Sequence, residues 1–363
     1  MSDFVSAIHR SGTRLVLAVS GGGATAIADL LATPGASNSV LEAVVPYSEP
    51  AMNDWLAGKP DHYCSEATAR AMAMSAFLRA GRLGDDSERR AGIAATASLA
   101  SDRPKRGPHR VHVAFQTAEE TSVASLELLK GQRSRAEEER LASDMVLNAV
   151  AEVAGLAQRL PLSLFPGETP QSHRVMALAD WRRLLLGEIT AVRHKAPGPA
   201  PRAVFPGAFH PLHRGHRQMM ALAETILGAA VEPEIAILNV DKPPLDYLEI
   251  ADRTEQFDRP VWLTRAATFD EKSALFPSAT FIVGADTLRR IAEVRYYGDV
   301  AARQAALRRI AERGCRFLVF GRAERGAFVA PESMDLPTPL RDICRFVPEE
   351  SFRMDISSTE LRE

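Results

Sequence analysis

Near its start the chain reads RLVLAVSGGGATAIADLLATPG: an apolar run at 15–19 stops at Gly21-Gly22-Gly23, and an apolar stretch of helical character follows until Pro34-Gly35. An unbroken run of β-branched and aliphatic residues predicts a buried strand, and the glycines predict a turn into a helix. Further strands are predicted at 40–45, 92–97 and 110–116, with a Met/Ala-rich helix at 66–79. The segment GQRSRAEEERLASDMVLNAVAEVAGL predicts a long helix: Ser134 is its cap, acidic residues fill its first turn, and apolar residues recur at helical spacing. Strands alternating with helices predict an α/β layer architecture.

Between 161 and 201 the periodicity lapses. LPLSLFPGETPQSH and HKAPGPAPR are rich in Pro and Gly and flank a short helical stretch near Trp181, which reads as a connection between domains. Alternation resumes with strands predicted at 203–205, 235–240, 280–283 and 316–320. The helix after the first of these places Met219, Met220, Ala223, Ile226 and Leu227 on one stripe, a core face. The chain thus divides into a first domain at 1–160, a connection at 161–201 and a second domain at 202–363.

Composition narrows the partners. A formal net charge of −2 over 363 residues gives no whole-surface argument for nucleic acid or an anionic membrane, so an anionic ligand needs a local site. Cys64, Cys315 and Cys344 are odd in number, widely spread and without metal-ligand spacing, so no metal site is expected of them. MSDFVSAIHRSGTR lacks the apolar core of a signal peptide, and no apolar run is long enough to span a bilayer. A soluble, cytoplasmic protein is expected.

Each strand predicted in the second domain runs into a polar or glycine-bearing signal: PGAFHPLHRGH, NVDKPPL, GADTL and GR. In an open parallel sheet, ligands bind outside the carboxyl ends of the strands. Gly207 and Gly215 permit close backbone approach, and the helix starting near Gly215 aims free N–H groups at an anion. His213 and His216, three residues apart, face one side of its first turn and can donate to phosphate oxygens. The competing reading is a pair of histidines that merely cap a helix in a solvated turn.

These residues resemble a family. GAFHPLHRGH is similar to the H-x-G-H signature of the nucleotidyltransferase superfamily, and the C-terminal DISSTELR to its ISST-x-x-R motif. With GADTL, the second domain most resembles the nicotinamide and nicotinate mononucleotide adenylyltransferases. The resemblance implies a Rossmann-like parallel sheet and transfer of AMP from ATP to a phosphorylated acceptor, with Mg²⁺ assisting. It implies that His213 and His216 hold the α- and β-phosphates, and that Ser357, Ser358 and Thr359, with Ile356 before them and Arg362 beside them, hold the β- and γ-phosphates. Gly207, Phe209, Gly215, Gly284 and Asp286 complete the nucleotide side. Lys242 is implied for the acceptor phosphate, and Trp262 or Tyr297 for stacking on a pyridine ring. His210 stands where relatives often carry Asp, and His213 replaces the threonine of phosphopantetheine adenylyltransferases. Amide and acid forms of the acceptor stay open, as do a cytidylyltransferase with another acceptor and a non-catalytic pyridine-nucleotide-binding regulator.

The first domain resembles, more diffusely, the CinA C-terminal family of nicotinamide-nucleotide amidohydrolases. Ser20 stands at the position of that family's serine and Tyr47-Ser48 at its tyrosine–serine pair, but the lysine position falls near Met52. A serine without a base is a poor nucleophile. The expectation is a degenerate domain that binds nucleotide or mediates homo-oligomerisation; an active deamidase feeding the second domain is the alternative.

Overall fold

The computed structural model describes residues 1–84, 89–102, 106–239, 244–324, 327–329 and 334–352. They form an α/β fold in two compact units: Met1–Arg182 with Asp241–Glu249, and Arg183–Val240 with Ile250–Glu363.

The first unit is built on a six-stranded sheet in the order β2-β1-β3-β4-β5-β6. Its strands are β1 (Arg14–Ser20), β2 (Val40–Val44), β3 (Arg90–Ser98), β4 (His109–Gln116), β5 (Glu120–Leu128) and β6 (Gln171–Met176). β1 pairs in parallel with β2 and β3, and from β3 onward the pairings are antiparallel. Leu15 to Val19 are fully buried, as suits a strand covered on both faces. One face carries the helix Glu66–Leu83, which turns Ala69, Ala73, Ala76 and Ala80 inward. These small side chains let helix and strand backbones touch: a Cβ at Gly92 would lie 2.0 Å from the Ala73 carbonyl oxygen. The helix Arg135–Val153 begins as expected at Ser134, with a reciprocal capping box to Glu137.

Two strands of this sheet escape sequence reasoning. β5 follows a turn without glycine, in which the Thr117 hydroxyl accepts from the N–H groups of Glu119 and Glu120, both at 3.1 Å. β6 comes from the Pro/Gly-rich segment 161–201. That segment is also held by Glu168, whose carboxylate pairs with buried Arg133 at 2.6 Å and accepts from the Leu129 and Phe165 N–H groups. Those bonds hold the Glu168 carboxyl down at about 2.

The second unit is a seven-stranded sheet, β15-β12-β11-β8-β9-β10-β7. Its strands are β7 (Ala191–His194), β8 (Ala203–Pro206), β9 (Val231–Ala236), β10 (Val261–Thr264), β11 (Thr280–Gly284), β12 (Arg316–Phe320) and β15 (Cys344–Val347), with a separate hairpin of β13 (Arg322–Glu324) and β14 (Ala327–Val329). Within the seven-stranded sheet all pairings are parallel except that of β7 with β10. Counted from β8 in chain order, the parallel strands lie 6-5-4-1-2-3, the doubly wound order whose direction reverses between β8 and β11. Val204, Phe281, Val283, Phe317 and Val319 join Leu288, Leu307 and Ile310 in the core.

The strand expected at 235–240 lies instead at Val231–Ala236. It holds Glu232, Pro233 and Glu234, poor strand formers, yet Glu234 is completely buried. Lys272 meets both of its carboxylate oxygens at 2.7 Å and Thr264 donates to one at 2.5 Å. A buried carboxylate is tolerated when it is so partnered.

Candidate functional site

The first residues past β8 form a braced turn. The Gly207 N–H donates to the Glu234 carbonyl at 3.0 Å. A Cβ at Gly207 would strike the Phe209 ring at 2.7 Å, so glycine is what lets that ring fold back. Phe209 has φ 45, and the His210–Pro211 peptide is cis. A non-glycine residue in the left-handed region is disfavoured and persists where packing holds it. Here the ring is 1% exposed, edge-on to Phe205, Phe257 and His216 at centroid distances of 5.3, 5.0 and 5.1 Å. Phe209 was expected among the nucleotide contacts; buried in this way, its side chain braces His216 instead.

The two histidines open the helix Arg214–Leu227. His213 is its N-cap and accepts from the Gly215 N–H through Nδ1 at 3.1 Å, while His216 accepts from the His213 N–H through Nδ1 at 3.3 Å. Their rings stack at 3.7 Å between centroids, 23° from parallel. Because each Nδ1 receives a backbone proton, each neutral ring carries its own proton on Nε2. Burial holds both below the ordinary imidazole range, and His216, with His213 adding repulsion, falls to about 3. Two neutral N–H donors therefore stand side by side at neutral pH.

The neighbouring strand contributes a second glycine. β11 pairs Thr280 with Ala203 and Phe281 with Val204. Gly284 and Gly207 thus stand at the carboxyl ends of two adjacent parallel strands, at the reversal of strand order. Gly284 is the N-cap of the helix Ala285–Ala292, and among the described residues a Cβ there would meet nothing within 4 Å. Asp286 lies in the first turn of this helix, half-exposed, 3.8 Å from Arg289. Gly207, His213, Gly215, His216, Gly284 and Asp286 are thus carried by the turns that follow two adjacent parallel strands.

Other expected residues lie elsewhere. Trp262 is on β10, donating its indole N–H to Glu232 at 2.7 Å and packing edge-on against Phe276. The Tyr297 hydroxyl donates to the Ile291 carbonyl at 2.9 Å, and burial pushes the phenol up to about 12. Neither makes a ring contact or hydrogen bond with the histidine turn among the described residues. Lys242, Ile356, Ser357, Ser358, Thr359 and Arg362 lie outside the described residues.

In the first unit, Ser20 ends β1 and its hydroxyl donates to the Pro46 carbonyl at 3.0 Å. Met52, at the position where a lysine would assist, is buried, and Ser48 caps the helix Glu49–Trp55. The glycine turn after Ser20 is already filled. Glu139 accepts from the N–H groups of Gly23 and Thr25, each at 3.1 Å, and from the Thr25 hydroxyl at 3.4 Å. Its neighbour Glu138 takes the Ala100 N–H at 2.5 Å and pairs with His109 at 2.7 Å. Sequence reasoning missed both carboxylates, which look like an ordinary charged helix face.

Among the described residues no helix is long and apolar enough to cross a membrane, and no three His, Cys, Asp or Glu side chains stand together as a metal site. No family model and no curated protein matches the chain. Among solved structures it is similar to a competence/damage-inducible protein of Agrobacterium tumefaciens, at 20% identity over 42% of this chain and 96% of that one, with a TM-score of 0.33. It is also similar to the competence damage-inducible protein A of Klebsiella pneumoniae, at 20% identity over 43% and 98% of the two chains, with a TM-score of 0.35. A third, a competence-damaged superfamily protein of Escherichia coli, is 17% identical over 42% and 86%, with a TM-score of 0.33.

Proposed function

We propose that the second unit transfers AMP from ATP to a phosphorylated acceptor, a nicotinate or nicotinamide mononucleotide, and releases pyrophosphate. The observation that carries this reading is the stacked histidine pair at the reversal of strand order, with both Nδ1 atoms engaged by backbone N–H groups so that each neutral ring carries its proton on Nε2.

The acceptor's phosphate oxygen attacks the α-phosphorus, and the bond to the pyrophosphate oxygen breaks. No protein nucleophile takes part. The chain's share is orientation and neutralisation of the charge that develops on the leaving group. His213 and His216 supply fixed donors to the α- and β-phosphates, and Gly284, whose Cβ position is open among the described residues, lets nucleotide and backbone approach. Ser357, Ser358, Thr359 and Arg362 are proposed to hold the far phosphates, and Lys242 the acceptor. A magnesium ion bound to the triphosphate would help to screen its charge. The first unit enters as a non-hydrolytic companion, since Ser20 is bonded to a carbonyl oxygen and its glycine turn is filled by Glu139.

The test is pyrophosphate release by the full chain with Mg²⁺, ATP or CTP, and each pyridine mononucleotide, with products identified by mass. Turnover with ATP should fall by about 10²–10³ in His216→Ala, the cost of one lost transition-state donor. Absence of turnover with every pair, from folded protein that binds nucleotide, would sink the reading.

A further inference from the structure

The turn that carries the histidines is held by a side chain that belongs to none of the motifs. Gln256 lies just past the helix Tyr247–Glu255. Its Oε1 accepts from the Leu212 N–H at 2.6 Å, and its Nε2 donates to the Phe209 carbonyl at 3.0 Å and to the Asp252 carbonyl at 3.1 Å. The reverse amide orientation would set N–H against N–H and oxygen against oxygen, so the chemistry fixes which end faces which. One planar amide thus binds both backbone groups that flank His210 and Pro211, as a neighbouring strand would. Arg253 adds a bond to the Ala208 carbonyl at 3.1 Å, and Arg217 donates to the Gln256 carbonyl at 3.4 Å.

What Gln256 holds is what the histidines depend on. Leu212 directly precedes His213, the helix cap. Phe209 is the ring against which His216 packs, in a backbone conformation that needs an external partner. Releasing the amide frees both supports at once.

We propose that Gln256 is the positioning residue of the phosphate clamp, setting where the Nε2–H groups of His213 and His216 stand relative to a bound triphosphate. This rests on the phosphate-clamp reading above. Transition-state donors are sensitive to placement, and a shift of about 1 Å costs on the order of 10²-fold in rate.

Two variants test it in the full chain. Gln256→Met keeps length and volume but removes all the amide's bonds; Gln256→Glu keeps the acceptor for Leu212 and removes the donor to Phe209. With ATP and a pyridine mononucleotide, Gln256→Met should lose roughly 10- to 100-fold in kcat with the acceptor KM unchanged, and Gln256→Glu should fall between. Imidazole nitrogen NMR without nucleotide should show His213 and His216 as Nε2–H tautomers in the parent protein and as averaged tautomers in Gln256→Met. That second readout needs no turnover. Displaced imidazole signals in Gln256→Met, beside a parent that turns over no substrate pair, would uphold the positioning of the two histidines and remove the transferase reading. Parent-like signals and kcat, or a lowered melting temperature with parent-like signals, would overturn the positioning role. Should Gln256→Met not fold, Gln256→Glu carries both readouts.

Discussion

Two glycine-bearing turns in this molecule begin alike and end differently. In each, a buried parallel strand runs into a turn and then a helix whose first N–H groups need partners. After β1, those groups are satisfied by Glu139. After β8, the helix start is satisfied by imidazole nitrogens, the Nδ1 atoms of His213 and His216. A glycine turn resembles an anion site in either case. What separates the two is the group that caps each turn: a carboxylate, which only accepts, or a neutral imidazole, which accepts through one nitrogen and carries a proton on the other.

The glycines provide the sharpest way to break this comparison. Gly21 has φ 77, and a Cβ there would lie 2.0 Å from the Ala97 carbonyl oxygen, so the protein itself requires it. Gly21→Ala should cost on the order of 3 kcal/mol in denaturant unfolding, from overpacking plus the left-handed backbone. Gly284→Ala should leave stability within about 0.5 kcal/mol, as a substitution with no steric conflict. It should nevertheless weaken ATP binding by roughly tenfold or more, since one methyl then occupies ligand space. Equal effects of the two substitutions on stability would end the distinction.

A smaller effect is expected from Glu139→Ala. It removes three hydrogen bonds from a helix start, at about 1–2 kcal/mol, and should leave transferase kinetics unchanged. Calorimetry beside the pyrophosphate assay checks both halves; a kinetic change would mean that the filled turn is not inert.

The last effect concerns pH. His216 titrates at about 3 in the folded protein against 6.5 ordinarily, so the unfolded chain binds the proton first. Its contribution to stability is present above pH 6.5 and declines as pH falls through the interval down to about 3. His213, lowered by burial, adds in the same direction. His216→Asn should therefore flatten the fall in melting temperature between neutral and mildly acidic pH; an unchanged slope would contradict the burial of this ring. Bound phosphate should raise the pKa and reverse part of the trend.

Much of this was legible in the sequence where the signal is local. The strand at 15–19, the capped helix from Ser134 and the turn PGAFHPLHRGH were readable because apolar period, cap and glycine act within a few residues. β9 was misplaced because Glu234 carries its charge into the core, and nothing nearby announces that Lys272, 38 residues later, will meet it. β6 was hidden in a Pro/Gly-rich stretch because edge pairing, not periodicity, makes it a strand.

By itself, then, the sequence determined two α/β units' worth of strands and helices, and two turns with the chemistry to receive an anion. Only the tertiary structure decided what caps each turn, a carboxylate in one and a pair of imidazoles in the other. Glu139 reaches Gly23 from 116 residues away, and Gln256 reaches Phe209 from 47. A hydrogen bond is made or refused by distances of a few tenths of an ångström, and long separations along the chain do not encode these until the fold has closed.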